Sequence, residues 1–247
     1  MASPPAGMPT RASDRRVDAA PLPRLLNHLS SFSVSEPQQT QTRMTIRLHR
    51  GDLPDISRYA GAVAIDTETM GLDLHRDRLC VVQLSPGDGS ADVVQISAPA
   101  ADAPNLKRLL ASPNLLKIFH FARFDIAALY KTFGVMPQPV YCTKIASRLC
   151  RTYTDKHGLK DLVREVLGHD LSKQQQMSDW GAAELSESQV SYAAADVLYL
   201  HALKAKLDAM LAREGRGELA AACFQFLADR VRLDLAGFAA EDIFAHS

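Results

Sequence analysis

The chain has 247 residues, enough for one large domain or two small ones, with 28 basic residues balanced by 28 acidic ones. No run of about 18 apolar residues occurs, so the sequence offers no membrane-spanning helix. Its four cysteines, Cys80, Cys142, Cys150 and Cys223, lie far apart without a C-x-x-C pair, which argues against a structural zinc site or a disulfide framework and for a reducing, cytoplasmic home.

Residues 1–43 hold six of the thirteen prolines, many Ser, Thr and Gln, and no sustained apolar periodicity. Such a stretch cannot bury enough surface to offset its ordering entropy. It reads as a disordered extension, or as a spurious one upstream of a true start at Met44. Arg11, Arg15, Arg16 and Arg24 raise the alternative of a transit peptide, but the prolines spoil an amphipathic helix. A single domain is therefore expected over 44–247.

Within it, 46–53 predicts a short strand and turn, and 61–67 a first central strand. Residues 79–85 (LCVVQLS) and 91–96 (ADVVQI) predict two more strands, joined as a hairpin by Pro86-Gly87-Asp88-Gly89. A helix with proline in its first turn covers 104–111, a fourth strand 115–120, and a helix 122–133 stopped by Gly134. Beyond Gly134 the pattern is helical: 143–151, 158–167, 187–213 and 217–235. The long third segment opens on a capping box, Ser186-Glu187-Ser188-Gln189. Strands, then alternating helix and strand, then a helical run imply an α/β sheet flanked by helices with a helical C-terminal part.

The chemistry concentrates on Ala62-Val63-Ala64-Ile65-Asp66-Thr67-Glu68-Thr69. Residues two apart on a strand share a face, so Asp66 and Glu68 project side by side. Two buried carboxylates repel unless cations lie between them; a lone D-x-E is otherwise a pair of surface acids. Asp125, in Phe119-His120-Phe121-Ala122-Arg123-Phe124-Asp125, falls in the first turn of a helix, where the dipole alone would favour an acid. Tyr192 and Asp196 stand at i and i+4 on one helical face, with three alanines between them that permit close approach. Four acids and a tyrosine suit two hard divalent cations, Mg²⁺ or Mn²⁺, which take oxygen ligands.

D-x-E, H-x-x-x-F-D and Y-x-x-x-D, in that order and in those elements, resemble the DEDDy exonucleases of the ribonuclease D type, which have a ribonuclease H-like fold. Gly158-Leu159-Lys160-Asp161-Leu162, Leu171-Ser172-Lys173-Gln174-Gln175-Gln176 and Ser178-Asp179-Trp180 extend the similarity. The resemblance implies that Asp66, Glu68, Asp125 and Asp196 are metal ligands and that Tyr192 orients the attacking water. It further implies a two-metal mechanism, with Asp66, Glu68 and Asp196 at one ion and Asp66 and Asp125 at the other.

A narrower similarity, to the nanoRNase C (NrnC) family, rests on HRDRLCVVQLS (75–85), FGVMP (133–137), CTKIAS (142–147), RTYTDKHGLK (151–160) and the closing DIFAHS (242–247). That family comprises short bacterial proteins that hydrolyse dinucleotides and very short RNAs; a closed, octameric ring is its precedent, so a homo-oligomer is implied. Two features favour it over ribonuclease D. After Asp196 there remain 247 − 196 = 51 residues, too few for further helical RNA-binding domains. Residues 44–247 hold 28 − 5 = 23 basic and 28 − 3 = 25 acidic residues, whereas proteins that track long RNA show a basic excess. The expected activity is release of 5′-mononucleotides from the 3′ end of dinucleotides and very short RNAs. Trimming of longer RNA or DNA ends, and a non-catalytic nucleic-acid-binding module, are the alternatives.

Substrate contacts are expected from Thr67, Leu72, His120, Phe124, Arg148, Arg151, His157, Lys160 and Lys173. Leu72 is a core leucine by default, but in dinucleotide-specific relatives a leucine after this motif wedges between the bases. His120 reaches substrate or is a satisfied structural histidine. Arg148, Arg151, His157, Lys160 and Lys173 form a local basic group for a 5′-phosphate, or are solvated surface. Trp180 is expected to pack rather than to stack on a base.

Overall fold

The computed structural model describes residues 45–97, 102–171 and 178–246; the extension over 1–43 and Lys173 lie outside them. Six strands form one mixed sheet: β1 (Thr45–Arg50), β2 (Ala62–Thr69), β3 (Leu79–Ser85), β4 (Ser90–Gln95), β5 (Leu116–Phe119) and β6 (Val140–Cys142), in the order β1-β4-β3-β2-β5-β6. The expected hairpin pairs β3 with β4 antiparallel, and β3 also runs antiparallel to β2. The remaining pairs, β1–β4, β2–β5 and β5–β6, are parallel. β3 is buried along its whole length, as its near-continuous apolar run dictates.

The helices are α1 (Pro104–Ala111), α2 (Ala122–Phe133), α3 (Thr143–Cys150), α4 (Leu159–Leu167), α5 (Glu187–Leu198), α6 (Leu200–Arg213) and α7 (Gly217–Leu233), followed by a π-helical turn, Asp234–Phe238. Gly134 closes α2 in the left-handed conformation, φ 70°, with its N–H on the Tyr130 carbonyl. The capping box of α5 forms: the Ser186 hydroxyl accepts from the Gln189 N–H, and the Gln189 carboxamide accepts from the Ser186 N–H.

Two elements depart from expectation. The 187–213 helix is broken at Tyr199 into α5 and α6. No glycine or proline marks the break; the two halves serve different surfaces, α5 lying on β2–β4 and α6 on α3 and α4. The chain beyond Gly134 is also not wholly helical, because Val140–Cys142 adds β6 beside β5. Three residues are too few to show a period-2 pattern.

The core joins both faces of the sheet: Val63, Ile65, Val82 and Leu84 from the strands meet Ile126, Leu129, Leu203 and Leu207 from the helices. All four cysteines are unpaired. Among the described residues no helix is long and apolar enough to cross a membrane.

Candidate active site

β2 is the central platform. Asp66 and Glu68 share the face toward α5, and Thr67 between them serves Asp125, its hydroxyl donating to Asp125 Oδ1 at 2.7 Å. The β2–β3 pairing slips between Glu68 and Thr69, leaving Cys80 over on β3. Such an irregularity bends a strand and re-aims its end.

α5 brings Tyr192 and Asp196 over this platform. Ala193 and Ala194 are fully buried beneath them, so small side chains let the helix approach the sheet. One carboxylate oxygen each from Asp66, Glu68 and Asp196 lie within 4.8 Å of one another. Asp125, buried in the first turn of α2, lines the same cleft beside them.

No basic side chain makes an ion pair with these four acids among the described residues, and their protonation responds. Burial, then the charges of Asp125, Asp196 and Glu68, raises Asp66 well above the usual carboxylate range. Burial pushes Glu68 up to about 8, and Asp125 and Asp196 to about 7. Burial and the charges of Asp196, Glu68 and Asp66 raise the Tyr192 phenol above its ordinary value, so it stays protonated. Clustered, desolvated carboxylates without a counter-charge are costly as they stand, and their oxygens are the donor set a hard divalent cation takes.

The cleft measures about 860 Å³. Besides the five residues above, it is lined by the expected Thr67, Leu72, His120, Phe124 and Lys160. Leu72 is not a core leucine: it is 86% exposed. It stands on a turn in which Gly71 packs against the Asp77 carboxylate; a Cβ there would come within 2.3 Å of Oδ2. His120 Nδ1 lies 2.9 Å from the Thr143 hydroxyl, and burial pushes the ring's pKa down to about 3, so it is neutral. Trp180 is buried, its ring 6.1 Å from that of Tyr192, and packs as expected.

Of the described members of the predicted basic group, Lys160 lines the cleft and Arg148, Arg151 and His157 do not. Arg151 is fully buried, paired with Glu165 at 2.5 Å and donating to Ser147 Oγ at 2.8 Å, which commits it to the fold. His157 meets Ser147 Oγ at 2.9 Å. Arg148 lines a second cavity, of about 300 Å³, with Arg123, Lys144 and Arg230. The sequence reading missed Phe121 and Lys144, both on the cleft wall; Phe121 stands inside the H-x-x-x-F-D stretch, but nothing in the sequence singles out Lys144.

Residues 52–212 match the family model described as 3′–5′ exonuclease. The chain belongs to the 3′–5′ exonuclease family. Within that family it is similar to Brucella melitensis NrnC solved with bound Mg²⁺: 60% identity, TM-score 0.80, over 83% of this chain and 100% of that one. The same protein bound to pGG gives 61% identity and TM-score 0.80 over the same shares. Ribonuclease D of Granulibacter bethesdensis is 38% identical over 154 residues, 62% of this chain and 38% of that protein. The chain thus spans about two fifths of the length of the curated ribonuclease D relatives it matches. The six-stranded mixed sheet with flanking helices is the ribonuclease H-like exonuclease fold of these structures.

Proposed function

We propose that this chain is a metal-dependent 3′–5′ exoribonuclease that hydrolyses dinucleotides and very short RNAs to 5′-mononucleotides. The observation that carries the reading is the convergence of Asp66, Glu68 and Asp196 within 4.8 Å, desolvated and with no basic side chain paired to them among the described residues. The bound Mg²⁺ and pGG of the NrnC relatives support it.

Asp66, Glu68, Asp196 and Asp125 would hold two divalent cations, Mg²⁺ or Mn²⁺, with the first three residues around one ion and Asp66 and Asp125 toward the other. Bound there, such ions supply Lewis-acid activation of water and charge stabilisation for the departing 3′-oxygen. Tyr192 orients the attacking water through its hydroxyl; a phenol held protonated is a hydrogen-bonding guide, not a base. Thr67 fixes one oxygen of Asp125 and leaves the other for its ligand role. Leu72 projects from the end of β2 and parts the two bases. His120, Phe124 and Lys160 line the substrate's path. Lys144, which lines both the cleft and the second cavity, and Arg148, which lines the second cavity, take the place of Arg151 and His157 as the cations for the 5′-phosphate.

In the cytoplasm the chain would work as a homo-oligomeric ring. The exposed Leu219, Phe238, Ile243 and Phe244 of its C-terminal part offer apolar surface for that contact. The test of function is product analysis: a 5′-phosphorylated RNA dinucleotide with Mg²⁺ should yield only 5′-mononucleotides. EDTA, or Asp196→Ala with Mg²⁺, should abolish the reaction. Undiminished turnover in either case contradicts the proposal.

A further inference from the structure

Phe121 joins β5 to α2 and is the only non-glycine residue with positive φ among the described residues, at φ 67° and ψ 41°. A bulky side chain in this left-handed region crowds the backbone and persists only where the surroundings impose it. They do so here. Phe119 is fixed in the sheet opposite Cys142, His120 is held by Thr143, and Ala122 is buried at the start of the helix. The strain does not serve packing, because Phe121 is 46% exposed. It stands on the cleft wall, and the Lys144 ammonium lies 4.3 Å from its centroid. Lys144 makes no ion pair among the described residues. One face of the ring is thus held by a cation and the rest is open to the cleft.

Resting on the reading of the cleft as a site for short RNA, we infer that Phe121 is a stacking platform for a nucleobase of the substrate, with Lys144 bracing the ring and neutralising the adjacent phosphate. Single-strand binders use this pairing of an aromatic face with a cation, since every base has a π-face and every linkage a charge. The position also fits the path of the strand: Phe121 and Lys144 line both the cleft and the second cavity, where Arg148 adds a further cation, while Arg230 is paired with Asp234.

The test uses the full chain carrying Asp66→Asn, to suppress turnover, with Mg²⁺ present. Kd is measured for a 5′-phosphorylated adenine dinucleotide and for its two singly abasic forms. Phe121→Leu, which keeps apolar bulk, should weaken binding by about 5- to 150-fold, the factor for one stacked base; Phe121→Tyr should bind as the parent does. The Phe121→Leu penalty should vanish on one of the abasic forms. Lys144→Gln should lower affinity and reduce the slope of log Kd against log salt by about one. Phe121→Gly, which adopts φ 67° freely, should melt no lower than the parent while losing affinity as Phe121→Leu does. Unchanged binding by Phe121→Leu, a penalty that persists on both abasic forms, or a lower melting temperature for Phe121→Gly would overturn the inference. If the parent binds no short RNA, the functional reading fails, and the Phe121→Gly melt still decides whether the strain is structural.

Discussion

Without metal, the folded chain should lose stability as pH rises from 6.5 to 8. Burial, reinforced by the neighbouring acids, raises Glu68 from 4.5 to about 8, so the native state keeps a proton there that the unfolded chain has already released. A carboxylate with a raised folded pKa contributes stability that is complete below the unfolded value and lost as pH passes the folded one. Over the 1.5 pH units chosen, at 1.36 kcal/mol per unit, Glu68 alone accounts for about 2 kcal/mol. For a domain of this size that is a fall of roughly 4–8 °C in Tm; Asp125 and Asp196, near 7, add to it. The window avoids two opposing groups. His120, depressed to about 3, adds stability as pH rises only up to about 6.5, and Lys117, depressed to about 8 by burial, does so only above that value. The assay is a set of thermal melts in EDTA, repeated with Mg²⁺, which should raise Tm most at pH 8 by binding the ionised cluster. A Tm in EDTA that is flat or rising between pH 6.5 and 8 would refute the reasoning.

Asp66→Asn should abolish hydrolysis yet melt higher than the parent in EDTA at pH 8, because it removes a buried carboxyl whose ionisation burial and its acidic neighbours oppose; calorimetry and an RNA turnover assay on the same sample check both. Tyr192→Phe should fold and bind Mg²⁺ normally but lose about 10²- to 10⁴-fold in kcat, the range of a positioned proton-handling group. A kcat equal to the parent's would make Tyr192 structural. Leu72→Ala, at an exposed site, should leave Tm within about 1–2 °C while lowering kcat/KM for dinucleotides, since surface truncations cost within about 0.5 kcal/mol. Equal loss on a seven-nucleotide RNA would argue against a wedge.

The site was legible where chemistry and periodicity coincide. Asp66 and Glu68 two apart on a strand, and Tyr192 and Asp196 four apart on a helix, fix their own faces, and the helix beginning just before Asp125 carries the last acid. Basic residues carry no such signal. Arg151 and Arg148 are three apart in sequence, yet one is consumed by Glu165 and Ser147 while the other borders an open cavity; only tertiary packing separates them. The bend at Tyr199 was invisible for the same reason, as each half of 187–213 is a good helix and only the surfaces beneath them differ. Phe121 could not be found from its residue type, because positive φ is the property of a turn that sheet pairing and the Thr143 contact impose.

The most direct measurement is kcat/KM for 5′-phosphorylated RNAs of two to seven nucleotides under identical conditions with Mg²⁺. The folded part has no basic excess, so affinity should come from a pocket that grips both ends of a short substrate. The dinucleotide should be cleaved fastest, and removal of its 5′-phosphate should weaken it by about 10- to 150-fold, as expected for a lost charge-assisted contact of about 1.5–3 kcal/mol. Equal values across the series, insensitive to the 5′-phosphate, would contradict the dinucleotide reading and leave a general exonuclease that trims RNA ends.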